Sequence, residues 1–95
     1  MNKYELIYII SVDTAEEKRE AIISRFKSYV EEKGGKIENL DKMGVKKLAY
    51  PINFKNEGFY VLMNIQMNPE EVDAMAKLMN ITEGIIRQLF VRKDA

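Results

Sequence analysis

The order strand, helix, strand, strand, helix, strand predicts an α+β fold, a four-stranded antiparallel sheet with two helices on one face. Two observations carry this prediction. Odd and even positions separate into unlike rows over residues 4–10 and 59–67, the period-two signature of strands that bury one side. Two helix-start patterns, Thr14 with Glu17 and Asn68-Pro69 with Glu71, each precede apolar residues at helical spacing.

In the first strand Tyr4, Leu6, Tyr8 and Ile10 make a wholly apolar row, whereas Glu5, Ile7, Ile9 and Ser11 make a mixed one, so the even side is expected to face the core. Thr14 and Glu17 stand at the spacing of a capping box, and Ile22, Phe26, Tyr29 and Val30 follow as the buried stripe of the first helix. Gly34-Gly35 ends that helix. A second strand is expected from about Lys36 to Tyr50, bent or bulged at Gly44, with Pro51 at its end or on an edge.

A polar turn through Lys55, Asn56, Glu57 and Gly58 leads to a third strand, where Phe59, Val61, Met63, Ile65 and Met67 alternate with Tyr60, Leu62, Asn64 and Gln66. The second and third strands are therefore expected to form a hairpin. Pro69 suits the first turn of the second helix, which turns Val72, Met75, Ala76 and Met79 inward. These methionines read as core rather than as a cofactor site. Thr82-Glu83-Gly84 turns into a last strand, Ile85 to Arg92, in which neither row is cleanly apolar and the facing stays unassigned.

A doubled βαβ unit with right-handed crossovers is a ferredoxin-like sandwich. Its uncovered sheet face is expected to show the mixed rows, including Ile7, Ile9, Tyr60, Leu62 and Asn64, as a semi-apolar docking surface.

The 95 residues are expected to form one domain, 1–95, and 46% apolar with 32% charged residues is the composition of an ordinary globule. Fifteen cations balance fifteen anions, but unevenly. Residues 33–55 hold six cations against two anions, while residues 1–32 and 56–95 each carry an excess of two anions. The middle of the chain is the basic pole. Overall neutrality argues against a strong, indiscriminate nucleic-acid binder, whose affinity comes from many released counterions, so any RNA contact is expected to be local or shared with a partner.

The chain has no cysteine and no histidine, which removes thiol nucleophiles, the usual zinc ligands and the commonest general base. No metal or cofactor is expected. Glu16-Glu17, Glu31-Glu32 and Glu70-Glu71 are sequence neighbours that diverge on helices, so they do not make a convergent acid/base pair. The glycine-rich anion loop with an arginine that marks acylphosphatases is not visible. Glu57-Gly58-Phe59-Tyr60-Val61-Leu62-Met63 matches the aromatic strand of an RNA-recognition motif only loosely, since Glu57 stands where a cation belongs. Leu6 to Ile10 is preceded by Glu5, followed by Ser11 and Asp13, and lacks a cleavage site, so it reads as a strand rather than a leader. With no run of eighteen apolar residues, no membrane span is expected and the cytoplasm is the default.

The stretch most able to carry function is Gly44-Val45-Lys46-Lys47-Leu48-Ala49-Tyr50-Pro51-Ile52. Alternation sends Lys46, Leu48 and Tyr50 to one side and Val45, Lys47 and Ala49 to the other, so a polyanion crossing this strand end meets both lysines. A solvated edge strand whose lysines block unwanted pairing is the plainer account.

This stretch resembles the signature of the bacterial small-subunit ribosomal protein six family: glycine, a variable residue, two mostly basic or polar positions, Leu-Ala-Tyr and a nearby isoleucine. The resemblance spans essentially the whole chain, including Tyr4-Glu5, Asn53 through Gly58, Tyr60-Val61-Leu62-Met63-Asn64, and Ile85-Ile86-Arg87 through Val91-Arg92. It implies a non-enzymatic ribosomal protein that binds small-subunit ribosomal RNA together with ribosomal protein eighteen and is monomeric when isolated. Lys46 and Lys47 keep the charge of these positions without arginine's planar fork.

On that footing Lys46, Lys47, Lys3, Arg87, Arg92 and Lys93 are expected to contact phosphates, with Tyr4 or Tyr50 packing against a ribose or base. Such contacts fix orientation rather than read sequence. Ile7, Ile9, Tyr60, Leu62 and Asn64, or the free edge of the second strand, are expected to receive the partner protein. A ferredoxin-like regulatory or oligomeric ligand-binding domain is the alternative from another class.

Overall fold

The structure is a computed structural model that describes residues 2–52 and 55–93, with the side chains of 49–52 and 55 outside that description. The elements are β1 (Asn2–Ser11), α1 (Glu16–Glu32), β2 (Lys36–Ile52), β3 (Lys55–Met67), α2 (Pro69–Asn80) and β4 (Ile85–Arg92). The four strands form one sheet in the order β2-β3-β1-β4, and every neighbouring pair is antiparallel. Each helix connects two parallel strands with one strand between them, which is the ferredoxin-like connection expected from the sequence.

The apolar rows explain why the helices lie on one face. Tyr4, Leu6, Tyr8 and Ile10 from β1 and Val61, Met63, Ile65 and Met67 from β3 are buried against Ile23, Phe26 and Val30 of α1 and Val72, Met75 and Met79 of α2. Fully burying one such side chain contributes roughly 1.5–3 kcal/mol, so this double layer dominates stability. Ile22 and Tyr29, expected in the stripe of α1, pack at its margin, and Ile23 takes the central position. Ala76 of α2 is only half-buried.

Both helices end as the sequence indicates, but one start differs. Gly34, at φ +78°, donates to the Glu31 carbonyl at 3.2 Å, and Gly35 donates to the Val30 carbonyl at 2.9 Å, the paired bonds of a Schellman stop. Pro69 occupies the first turn of α2 behind Asn68. At α1, however, Ala15 is the capping position and no side chain caps the helix. The Thr14 amide donates to the Ser11 carbonyl at 3.0 Å, closing a turn that delays the helix by one residue and withdraws Thr14 from the capping box.

The turn expected at 55–58 is strand. β3 begins at Lys55, and Ile52 pairs with Lys55; residues 53–54 between them lie outside the described residues. The register of β2 slips between Lys42 and Gly44, where the sequence indicates a bulge. β4 gains a facing through its pairing: Phe90 opposes Leu6 and Gln88 opposes Tyr8 on the helix side, while Leu89 opposes Ile7 and Val91 opposes Glu5 on the open side.

Candidate nucleic-acid interface

The β2–β3 hairpin outruns the rest of the sheet. The β1–β3 ladder ends at Ser11 opposite Gly58, whereas the β2–β3 ladder continues through Lys46 opposite Gly58, Lys47 opposite Glu57 and Ile52 opposite Lys55. Lys46 and Lys47 therefore stand where a multistranded sheet narrows to a two-stranded ribbon. Lys46 shares the open side with Gly58, and Lys47 takes the opposite side, as alternation requires. Both are exposed, so the ribbon offers a positive charge on each side. The Tyr50 side chain lies outside the described residues.

The other cations named from the sequence do not gather there. Arg87 opposes Ile9 on the open face, in the same half of the sheet as Lys46. Lys3 opposes Gln66 near the far end of the sheet, and the eight-residue step from Lys3 to Ser11 amounts to about 27 Å along the strand. Arg92 and Lys93 lie at that far end too: Arg92 opposes Tyr4, the Lys93 amide donates to the Lys3 carbonyl at 2.9 Å, and Lys93 Nζ pairs with Glu5 Oε2 at 3.3 Å. A hollow of about 290 Å³ is lined there by Lys3, Tyr4, Glu38, Asn39, Asn64 and Lys93. The exposed Lys36, opposite Gln66, joins this second basic end. Sequence reasoning counted Lys36 in the basic segment without assigning it to a site, because only the strand register places it beside Lys3.

Tyr4 does not present a ring for stacking. It is 8% exposed within the core, and its hydroxyl accepts a hydrogen bond from Asn2 Nδ2 at 3.3 Å. The row that buries β1 has taken it, although the residue also lines the hollow.

On the open face Ile7, Tyr60, Leu62 and Asn64 are half-buried. Ile9 is 7% exposed and Leu48 is 8% exposed, so Ile9 is covered rather than offered to a partner. Leu89 and Val91, at 55% and 44% exposure, extend the apolar strip across β4. Both were invisible while the facing of that strand was unassigned.

The displaced titration lies in the core, not at this surface. Among the described residues the buried Tyr8 hydroxyl has no hydrogen-bond partner, and burial, with a smaller contribution from the Glu20 carboxylate, pushes its ionisation well above the usual phenol range. Among the described residues no cluster of acidic side chains can hold a metal ion, and no helix is long and apolar enough to cross a membrane.

Hairpin, sheet face and topology together define a ferredoxin-like sandwich with a basic ribbon at one end and a semi-apolar sheet face beside it. The family model described as "Ribosomal protein S6" matches residues 3–92. The chain is 45% identical over 94 residues to the small ribosomal subunit protein bS6 of Caldanaerobacter subterraneus subsp. tengcongensis, covering 99% of each chain. It is 44% identical over 94 residues to its counterpart in Thermoanaerobacter pseudethanolicus, again covering 99% of each. The crystal structure of 30S ribosomal protein S6 from Thermotoga maritima superposes with a TM-score of 0.90 at 32% identity, covering 97% of this chain and 87% of that one.

The chain belongs to the ribosomal protein S6 family. It is accordingly a structural, non-catalytic ribosomal protein of the bacterial cytoplasm, and the regulatory ligand-binding alternative is set aside.

Proposed function

We propose that this protein is a constituent of the small ribosomal subunit that holds small-subunit ribosomal RNA jointly with ribosomal protein eighteen, being monomeric when alone. Membership of the family over residues 3–92 is the observation that carries the ribosomal assignment. Charge supports shared binding: fifteen cations against fifteen anions leave no net positive charge to drive tight binding by counterion release alone.

Lys46 and Lys47 on the ribbon, with Arg87 in the same half of the open face, form the first set of phosphate contacts. Lys3, Arg92 and Lys93 form a second set at the far end, and Tyr50 accompanies the ribbon. Because Lys46 and Lys3 stand about 27 Å apart along the strands, the two sets meet separate stretches of backbone rather than one phosphate cluster. Ile7, Tyr60, Leu62 and Asn64, extended by Leu89 and Val91, receive the partner protein. Burying these apolar side chains drives the association, and the partner's own cations then lie beside the domain.

Titration of labelled small-subunit ribosomal RNA tests this. Addition of ribosomal protein eighteen is expected to tighten binding well beyond what either protein achieves alone. Equal affinity with and without the partner contradicts joint binding.

A further inference from the structure

We propose that Ile9, Gly58 and Leu48 form a latch that fixes the angle at which the basic hairpin leaves the sheet, which makes them positioning residues for Lys46 and Lys47. The significance for RNA rests on the proposal that these lysines meet phosphate; the latch itself rests on packing.

Gly58 is the last residue of β3 that pairs with β1, through Ser11, and it also pairs with Lys46 of β2. Beyond this row the hairpin has two strands, and an isolated two-stranded ribbon twists strongly and is marginal in water. Something must hold its base. On either side of this row the open face buries Ile9 of β1, which opposes Tyr60, and Leu48 of β2, two residues beyond Lys46, to 7% and 8% exposure. Neither belongs to the main core cluster, so they are a separate apolar contact on the reverse of the sheet.

Gly58 makes that contact possible. A Cβ at Gly58 would stand 2.2 Å from Ile9 Cγ2 and 3.6 Å from Leu48 Cδ2, so Ile9 occupies the space that a side chain at 58 would need. Ile9 leans across the middle strand, and Leu48 closes over the same gap from the other side. Three strands are joined at the hinge of the ribbon. Leu48 follows Lys47 directly and lies two residues from Lys46, so a shift of Leu48 carries both lysines with it. A loosened ribbon has to be ordered again on binding, and that ordering is a direct loss of affinity.

The chain contains no cysteine, so two spin labels can be placed cleanly at the exposed positions Asn56→Cys and Ser24→Cys, one on the ribbon and one on α1. Double electron–electron resonance on the full chain is expected to give a narrow distance distribution. Leu48→Ala and Gly58→Ala broaden it and raise the Kd for ribosomal RNA, measured with ribosomal protein eighteen, about tenfold; the volume-conserving Leu48→Met restores both. Leu48→Ala creates no overlap and keeps the test open where Gly58→Ala fails to fold.

A distribution superimposable on the parent's in Leu48→Ala overturns the latch. A broadened distribution with unchanged Kd overturns its role in presenting the lysines. In a separate arm, Lys46→Gln with Lys47→Gln is expected to flatten the salt slope of binding by up to about two units with the distance distribution unaltered. An unchanged slope there removes these lysines from the RNA contact, while the latch is still judged on the distances.

Discussion

Tyr8 shows how a single buried group couples packing to pH. Its ring is fully buried and meets Phe26 edge-on, with centroids 6.2 Å apart, yet its hydroxyl has no partner among the described residues. An unmade hydrogen bond in the core costs about 1–3 kcal/mol. Tyr8→Phe is therefore expected to leave stability unchanged or raise it by about 1 kcal/mol, measured by urea unfolding at neutral pH. The folded-state pKa is raised, so the unfolded chain releases this proton first. Stability is unaffected below the unfolded value near 10 and falls above it by up to about 1.4 kcal/mol per pH unit. Tyr8→Phe removes that part of the alkaline loss; a variant with the parent's full pH dependence above 10 contradicts the assignment. Burial of Tyr8 was legible in the row Tyr4, Leu6, Tyr8, Ile10, but its orphan hydroxyl was not, because partners come from other elements. Thr14 makes the same point locally: its spacing from Glu17 was right for a capping box, and a bond to the Ser11 carbonyl claimed its backbone instead.

At the scale of elements, strands with one clean apolar row could be oriented from sequence and β4 could not. β4 lies at the sheet edge, where the helices cover it incompletely, and its helix-side row contains Gln88, whose amide donates to Asn80 Oδ1 at 3.4 Å. A polar residue satisfied by a helix end spoils the alternation. Once the register with β1 is known, Leu89 and Val91 fall on the open face beside Ile7 and Glu5. Leu89→Glu is expected to change folding stability by no more than about 0.5 kcal/mol, since the residue is already exposed. It is expected to weaken association with ribosomal protein eighteen by tenfold or more, about 1.4 kcal/mol, by placing a charge in an apolar contact. Calorimetric titration of the two proteins measures this, and an unaltered Kd moves the partner off this face. The extent of the hairpin was also hidden: Lys55 to Gly58 carry turn-like residues, but the ladder to β2 keeps them extended.

The whole molecule is a division of labour between faces. One sheet face is buried under two helices and supplies the stability. The other is left semi-apolar, and the long hairpin carries positive charge beyond the end of the shared sheet. Period-two and helical patterns were enough to recover this architecture, and the Gly44–Ile52 signature was enough to point to the family. The spatial arrangement of the cations was not recoverable, because residues 3, 36, 87 and 93 are placed by register rather than by their neighbours in sequence. Register places Lys3, Lys36 and Lys93 at one end and Arg87 in the other half with Lys46, which stands about 27 Å from Lys3 along the strands, an arrangement that fits the proposed joint hold on a folded RNA rather than a grip at one point. Sedimentation of cell lysates through sucrose gradients tests this account most directly. The chain is expected to travel with small ribosomal subunits and to remain with them through washes at physiological salt; recovery wholly in the slowly sedimenting soluble fractions contradicts it.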